Sequence, residues 1–294
     1  MAKSAKKKAP NLHKYRYYVI NIKIRRVDST TDLSTQEYTR IFNEFYGKFV
    51  LARSSKQKDC ILQTLVQRQL GTRTVFFGKI VQITNINNER WFNKKEMIID
   101  SKFRIPSNYG ANAVTADYVF IPSRHRFVYK VTTKDHIDPY SLKKYFRSAL
   151  NIHLSTGYLV QVDVESNIST IERIFSAPGI SRIFLRFNYS NNDFSKEMQE
   201  FVENDMKLSN IGEFRINAVQ KESNPIDINK SQILAGALEA SASNGEADAT
   251  IIDANGHKVR LNTKDMPLKL VIESTKDDQL NTLVNRISNE FREA

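Results

Sequence analysis

The chain has 294 residues, of which 40% are hydrophobic and one is a cysteine, and its formal net charge is +12. This length predicts about two domains with real hydrophobic cores, and the ordinary apolar content excludes a disordered chain. No apolar run approaches the roughly 20 residues that cross a bilayer, and Cys60 by itself can form neither an internal disulfide nor a cysteine zinc site. We therefore expect a cytoplasmic protein without membrane insertion, bound metal or cofactor.

The charge is divided unevenly along the chain. Residues 1–160 contain 29 Lys and Arg against 11 Asp and Glu, a formal charge of +18, whereas residues 161–294 contain 15 against 21, a charge of −6. Segregation of this size predicts a polyanion-binding N-terminal half. The acidic half is expected to serve self-association or partner binding.

The N-terminal region begins with a basic tail, residues 1–12, which is predicted to be disordered until it meets an anion. Tyr15 to Val27 alternates as a half-buried strand with a polar, basic outer side. Ser34-Thr-Gln-Glu37 is a capping box, and it predicts a helix that ends at Gly47.

An antiparallel meander is predicted next. Its strands are expected at Phe49–Ala52, Ile61–Gln67 and Thr74–Thr84. Trp91-Phe92 is either a stacking site for an unpaired base or the anchor of a loop in the core. The stretch from Ser101 to Asn112 is predicted to be a long loop.

The centre of the chain is predicted to be a cationic hairpin followed by a helix. Two apolar runs within residues 115–131 flank a turn at Ser123–Arg126. From Pro139 to His153, apolar residues recur at the spacing of one buried helical face, while the opposite face is basic. We expect this stretch to contact phosphates.

The C-terminal half alternates strands and helices. Between about 155 and 221 the order is βαβαβ, and no glycine fingerprint for nucleotide binding is present. A helix follows a linker at Glu222–Pro225, then a polar turn at Ser241–Gly245 and a hairpin at Asn255-Gly256. The last amphipathic helix either closes its own domain or pairs with a second copy.

The predicted fold class is α+β, with an antiparallel-sheet N-terminal domain, a central βαβαβ unit and a small α+β C-terminal domain. The expected boundaries are a tail at 1–12, a basic nucleic-acid-binding domain at 13–154, an α/β unit at 155–222 and a dimerising C-terminal domain at 223–294.

Signals for catalysis are weak. Asp100-Ser-Lys102 is the nearest match to a restriction-type nuclease core, but it lies at the edge of a predicted loop. Arg147 and His153 have the spacing of the Arg-then-His motif of HEPN-type ribonucleases, yet the helical phase directs His153 to the core and Arg147 to solvent. We therefore assign no catalytic residue.

Basic side chains are the predicted binding site. They lie on many elements, which favours contacts that hold the backbone of a duplex rather than read its bases. The candidates are Lys6, Lys7, Lys8, Lys14, Arg16, Lys23, Arg25, Lys94, Lys95, Arg124, Arg126, Lys143, Lys144 and Arg147.

Five segments together resemble an uncharacterised family of bacterial proteins found in phage-defence settings. They are Val19–Ile24, Phe77–Ile80, Trp91–Asn93, Pro122–Phe127 and Asn255–Thr263. The overall plan is also loosely similar to RexA, the sensor of the phage lambda exclusion system. The resemblance implies a homodimer that binds DNA without sequence preference and signals to an effector protein.

We therefore expect a sequence-nonspecific double-stranded DNA-binding protein, a sensor or accessory subunit in bacterial anti-phage defence. Two alternatives remain open. One is a metal-dependent or HEPN-like nuclease whose acidic residues converge only in the fold. The other is a structural subunit that binds RNA or a protein partner.

Overall fold

The protein is a mixed α/β structure built mainly from antiparallel sheets, and a computed structural model describes residues 11–29, 33–86, 91–132, 135–154, 156–188, 209 and 211–291. The described part contains five helices and fourteen strands. In chain order these are β1 (His13–Arg26), α1 (Thr35–Gly47), β2 (Ala52–Ser55), β3 (Lys58–Leu70), β4 (Arg73–Thr84), β5 (Trp91–Asn93), β6 (Ile98–Asp100), β7 (Ala111–Ile121), β8 (Arg126–Val131), α2 (Pro139–His153), β9 (Tyr158–Val164), α3 (Ile168–Phe175), β10 (Gly179–Asn188), β11 (Glu213–Val219), α4 (Gln232–Asn244), β12 (Gly245–Ile252), β13 (Lys258–Asn262), β14 (Lys269–Ser274) and α5 (Gln279–Glu290).

The larger sheet is a curled half-barrel of eight strands with the order β14-β1-β8-β7-β4-β3-β2, and β9 also pairs with β1. The meander β2-β3-β4 and the hairpin β7-β8 are confirmed. The first predicted strand of the meander is displaced, because Phe49 adopts a left-handed backbone with φ 48° and β2 begins only at Ala52. A bulge in β3 brings the carbonyl of Thr64 so close to Gly78 that a Cβ there would lie 2.0 Å from the oxygen.

Local sequence signals account for the two helices on one face of this sheet. Ser34 Oγ accepts from Glu37 N at 3.3 Å and Glu37 Oε2 accepts from Ser34 N at 3.0 Å, which is the predicted capping box of α1. Asp138 caps α2 by accepting from the backbone N–H of Ser141. Both helices bury their predicted faces in one core with the sheet, in which Phe42 stacks on Phe120 with 4.2 Å between the ring centroids.

The last helix covers the opposite face of the same sheet. Leu283, Val284 and Ile287 of α5 are buried against Tyr17 and Val19 of β1. The terminal helix therefore closes the N-terminal sheet, with β14 paired antiparallel to the first half of β1.

The four-stranded sheet, β11-β10-β12-β13, is inserted between two neighbouring edge strands of the larger sheet. β9 and β14 pair with the same edge of β1, one after the other along its length. The chain leaves the larger sheet after β9 and returns to it before β14 at the same place, where Leu268 N donates to Glu165 O at 2.7 Å. The expected βαβαβ stretch is consequently divided between two sheets. β9 belongs to the larger sheet, whereas β10 and β11 belong to the inserted one.

One predicted turn of the C-terminal half is present and another is not. The Asn255-Gly256 hairpin is confirmed, with Gly256 at φ 80°. The predicted polar turn at 241–245 is wrong, because α4 continues to Asn244 and β12 begins at Gly245. The helix expected around residues 194–202 lies outside the described residues.

None of the described helices is long and apolar enough to cross a membrane.

Candidate nucleic-acid interface

The turn of the β7-β8 hairpin is buried, which corrects the expectation of a cationic hairpin tip. Pro122–Arg124 forms a 3-10 turn, and His125 follows with a left-handed backbone at φ 54°. Arg124, His125 and Arg126 are all buried in the protein. The C-terminal helix and the end of β9 supply the groups that surround the two arginines.

Arg126 is held between a carboxylate and an aromatic ring. Its Nη2 lies 3.0 Å from Glu165 Oε1, and its guanidinium carbon lies 4.5 Å from the centroid of the Phe291 ring. Arg124 donates from Nη1 to the backbone oxygen of Phe291 at 2.6 Å. The two arginines therefore join the hairpin to the exit of β9 and to the end of α5.

His125 and Lys23 are also turned into the protein. The imidazole of His125 lies beside Tyr38, with 5.0 Å between the ring centroids. Burial, together with the charges of Lys23 and Arg126, holds the pKa of His125 well below its ordinary value. The predicted basic outer side of β1 is thus buried at Lys23.

Lys143 is engaged with a carboxylate as well. Its Nζ lies 2.6 Å from Oδ1 of the buried Asp163 on β9. This ion pair links α2 to the edge of the larger sheet. The ammonium group of Lys143 is therefore used within the fold.

The outer side of α2 presents two of the predicted cations to solvent. Lys144 and Arg147 are exposed, and neither has a carboxylate at ion-pair distance within the described ranges. α2 packs beside β2, and the hairpin turn from β2 to β3 adds exposed Lys56 and Lys58. We call these four residues the basic α2 surface.

Lys56 and Lys58 are not among the contacts predicted from the sequence. The signal was present, because Arg53 to Lys58 is a recognisably basic turn. Its position beside α2 depends on the packing of α2 against β2.

The other candidate cations are dispersed. Lys14 is exposed and pairs with Glu273 at 3.2 Å, whereas Arg16 is exposed on the same strand. Arg25 is half-buried, and Lys94 and Lys95 are exposed at the turn between β5 and β6. Lys6, Lys7 and Lys8 lie outside the described residues.

The neighbouring aromatic residues Trp91 and Phe92 have different environments. Trp91 packs edge-on against Phe103, with 5.3 Å between the ring centroids, whereas Phe92 is exposed. Asp100 Oδ1 accepts from the backbone N–H groups of Lys102 and Phe103, so this carboxylate caps a turn.

The HEPN-like pair does not come together. The side chain of His153 is buried beside the ring of Phe45, whereas Arg147 is exposed. Burial also lowers the pKa of His153. The predicted directions of the two side chains are confirmed.

The acidic residues that approach the sheet edge are neutralised by cations. Asp163 faces Lys143 and Glu165 faces Arg126. Across the residues that the structure describes, no group of three or more His, Cys, Asp and Glu could hold a metal ion. No described acidic cluster therefore adds weight to the nuclease alternative.

Residues 13–289 match the model of a protein family described as a domain of unknown function (DUF4747). No curated protein matches the chain. The family match spans both sheets, so the inserted four-stranded sheet is part of the same family unit as the half-barrel.

Proposed function

The chain belongs to the DUF4747 family, and we propose that it is a sequence-nonspecific double-stranded DNA-binding protein that acts as a sensor or accessory subunit in bacterial anti-phage defence. The observation that carries the binding proposal is the basic α2 surface. The phage-defence setting, the homodimer and the effector protein rest on the sequence resemblance alone.

The rigidity of α2 supports this surface as a docking site. Its opposite face is buried through Leu142, Tyr145 and Phe146, and Tyr145 donates its hydroxyl to Val50 O at 3.2 Å. A helix held in this way loses little conformational freedom when it meets a phosphate backbone. Lys144 and Arg147 are one turn apart along the exposed side, so both can reach one strand of a duplex.

The chemistry of the surface favours contact with phosphates over contact with bases. Lysine ammonium groups and arginine guanidinium groups bind phosphate oxygens, and such contacts fix position without carrying sequence information. The charge of +18 in residues 1–160 supplies a long-range field that attracts a polyanion. We therefore expect equal affinity for duplexes of unrelated sequence.

Salt dependence gives a quantitative expectation. If the four cations of the basic α2 surface contact phosphates, log K should fall against log salt with a slope of about −3.6. Removal of two contacts should make that slope shallower by about 2.

The test is a double charge reversal, Lys144→Glu with Arg147→Glu, measured by fluorescence anisotropy with two duplexes of unrelated sequence across a salt series. The matched control is Lys221→Glu with Lys230→Glu, which makes the same change of net charge at exposed sites in the acidic half. We expect the first variant to bind both duplexes more weakly and with a shallower slope, and the control to keep the wild-type slope.

Three outcomes would contradict the proposal. Wild-type protein that binds no duplex at low salt would remove the DNA function. Equal losses in both variants would show a response to net charge rather than to a surface. Binding of RNA in preference to DNA duplex would favour the RNA-binding alternative.

The defence setting has a separate test. Expression of the chain with its neighbouring genes should lower the efficiency of plaquing of an infecting phage, and the charge-reversed variant should not. Equal plaquing with and without the protein across a phage panel would contradict this part of the proposal.

A further inference from the structure

Helices cover one face of the inserted four-stranded sheet, and we call the other face, which no helix among the described residues covers, the open face. Helices α3 and α4 pack on the first face over Ile183, Leu185 and Ala249. On the other face, Arg182 and Arg260 are exposed. An open cavity of about 490 Å³ lies there, lined by Arg182, Phe184, Glu246, Asp248, Thr250 and Arg260.

An aromatic side chain occupies the middle of this open face. Phe184 lies on the central strand β10, opposite Asn217 of β11 and Asp248 of β12. Arg182 and Arg186 flank it two positions away along β10, on the same face, because side chains alternate along a strand. Phe184 is half-buried and lines the cavity, so a ligand in the cavity would contact it.

The charges on the open face favour an anionic ligand. Arg186 is placed between Glu213 and Glu246, at 3.4 and 3.3 Å, and Arg260 pairs with Asp248. Arg215 pairs with Glu213 and Lys264 pairs with Glu246, and Asp265 next to Lys264 also interacts with Arg260. With Arg182 the face therefore carries five cations against four carboxylates. This excess contrasts with the charge of −6 over residues 161–294.

Arg182 is the cation of this face that no described carboxylate holds at ion-pair distance. It lies on the same strand as Phe184 and lines the same cavity. A planar ligand stacked on Phe184 would therefore present a linked anionic group to Arg182. A nucleotide has both of these parts, and the cavity volume is within the range of small-ligand sites.

We propose that the open face of the inserted sheet binds an unpaired nucleic-acid strand, with one base stacked on Phe184 and a phosphate at Arg182. Stacking on an aromatic ring tolerates every base, and arginine tracks the backbone, so the site should have little sequence preference. This surface differs from the basic α2 surface because it combines an aromatic ring with its cations. The proposal goes beyond duplex binding and does not depend on it.

The experiment measures binding of a fluorescein-labelled oligothymidine to the full chain by anisotropy, at low salt. Oligothymidine forms no duplex, so its binding reports an unpaired strand. We expect Phe184→Ala and Arg182→Ala each to weaken binding by about tenfold or more. Arg173→Ala is the matched control, because Arg173 is exposed on α3 on the other side of the sheet.

The Phe184→Trp variant guards against a loss of binding that is caused by misfolding. Tryptophan keeps the stacking surface, so this variant should retain the affinity for oligothymidine. The fluorescence of the introduced indole should also be quenched when a base stacks on it. Quenching that saturates with oligothymidine, and that needs about tenfold more oligothymidine or more in an Arg182→Ala background, would support both contacts.

The outcomes separate this proposal from the duplex-binding one. Lys144→Glu with Arg147→Glu should weaken duplex binding, and oligothymidine should still quench the fluorescence of the Phe184→Trp variant that carries this double change. Phe184→Ala should weaken oligothymidine binding and leave duplex binding unchanged. Wild-type protein that does not bind oligothymidine, or a folded Phe184→Ala variant with wild-type affinity, would overturn the proposal. Loss of duplex binding alone would leave it standing.

Discussion

Loss of one member of the ion pair between Arg126 and Glu165 should be among the most destabilising single electrostatic changes in this chain. Its two side chains are 2% and 4% exposed, and the charged atoms are 3.0 Å apart. Replacement of Arg126 by Met leaves the Glu165 carboxylate buried without this cation. Loss of one member of such a pair costs about 3–5 kcal/mol, because the remaining charge stays out of water.

The chain contains a matched pair of the same residue types on the surface. Arg286 and Glu290 are 2.8 Å apart on α5, and their side chains are 52% and 35% exposed. Exposed pairs at this helical spacing contribute about 0.3–0.5 kcal/mol. Any difference between the two pairs therefore reflects burial and not distance.

The assay is a double-mutant cycle on each pair, with free energies of unfolding from urea titrations. The variants are Arg126→Met, Glu165→Gln and the double change, beside Arg286→Met, Glu290→Gln and their double change. We expect a coupling energy of about 2–3 kcal/mol for the buried pair and below about 0.5 kcal/mol for the exposed one.

Small and additive effects of the two substitutions would contradict the burial of this pair. If Arg126→Met costs less than about 1 kcal/mol and its effect adds to that of Glu165→Gln, the pair behaves as a solvated surface pair. The hairpin turn would then be open to water, and the phosphate-contacting role expected from the sequence would return for Arg126.

Three further predictions concern single residues. Burial lowers the folded-state pKa of His125, so as pH falls the imidazole is protonated in the unfolded chain before it is protonated in the folded protein, and the free energy of unfolding should fall below about pH 6.5. Asparagine tolerates the left-handed backbone at this position, so His125→Asn should keep the fold and remove this titration. Urea titrations at several pH values should show that the variant flattens the dependence of the free energy of unfolding on pH by up to about 1.4 kcal/mol per pH unit. Gly78→Ala would place a Cβ against the carbonyl of Thr64 and should lower the free energy of unfolding by about 1–3 kcal/mol. A Cβ at Gly47 meets no atom within 4 Å, so the control Gly47→Ala should not lower the melting temperature. Equal melting temperatures of the two variants would contradict the close approach of Gly78 to Thr64. Burial raises the pKa of Cys60 to about 11, so a thiol reagent should modify it only in denaturant, and rapid labelling of the native protein would show that this strand opens.

Much of the secondary structure follows from local signals. The capping box at Ser34, the apolar spacing from Pro139 to His153 and the Asn255-Gly256 turn each involve residues a few positions apart. Such signals act within one turn or one hairpin, so they are readable without knowledge of the rest of the chain. Where a backbone departs from them, as at Phe49, the predicted strand was displaced.

The candidate site could be predicted only in part. Lys144 and Arg147 are exposed as the helical phase indicates, since periodicity decides which side of a helix faces a core. Strand alternation was a weaker guide at Lys23, because β1 is covered on both faces. A side chain that strand alternation predicts to face solvent is buried when a second layer of the protein packs over it.

The amino-acid sequence alone determined where most helices and strands lie, that positive charge is concentrated in the first 160 residues, and that α2 has one basic side. Only the tertiary structure decided which charges reach solvent and which strands share a sheet. Arg124 donates to the backbone of Phe291, 167 positions later, and Arg126 of β8 pairs with Glu165 at the end of β9, with β1 between these two strands. Burial of a charge depends on partners that are distant in the chain, and neither composition nor periodicity contains the position of those partners.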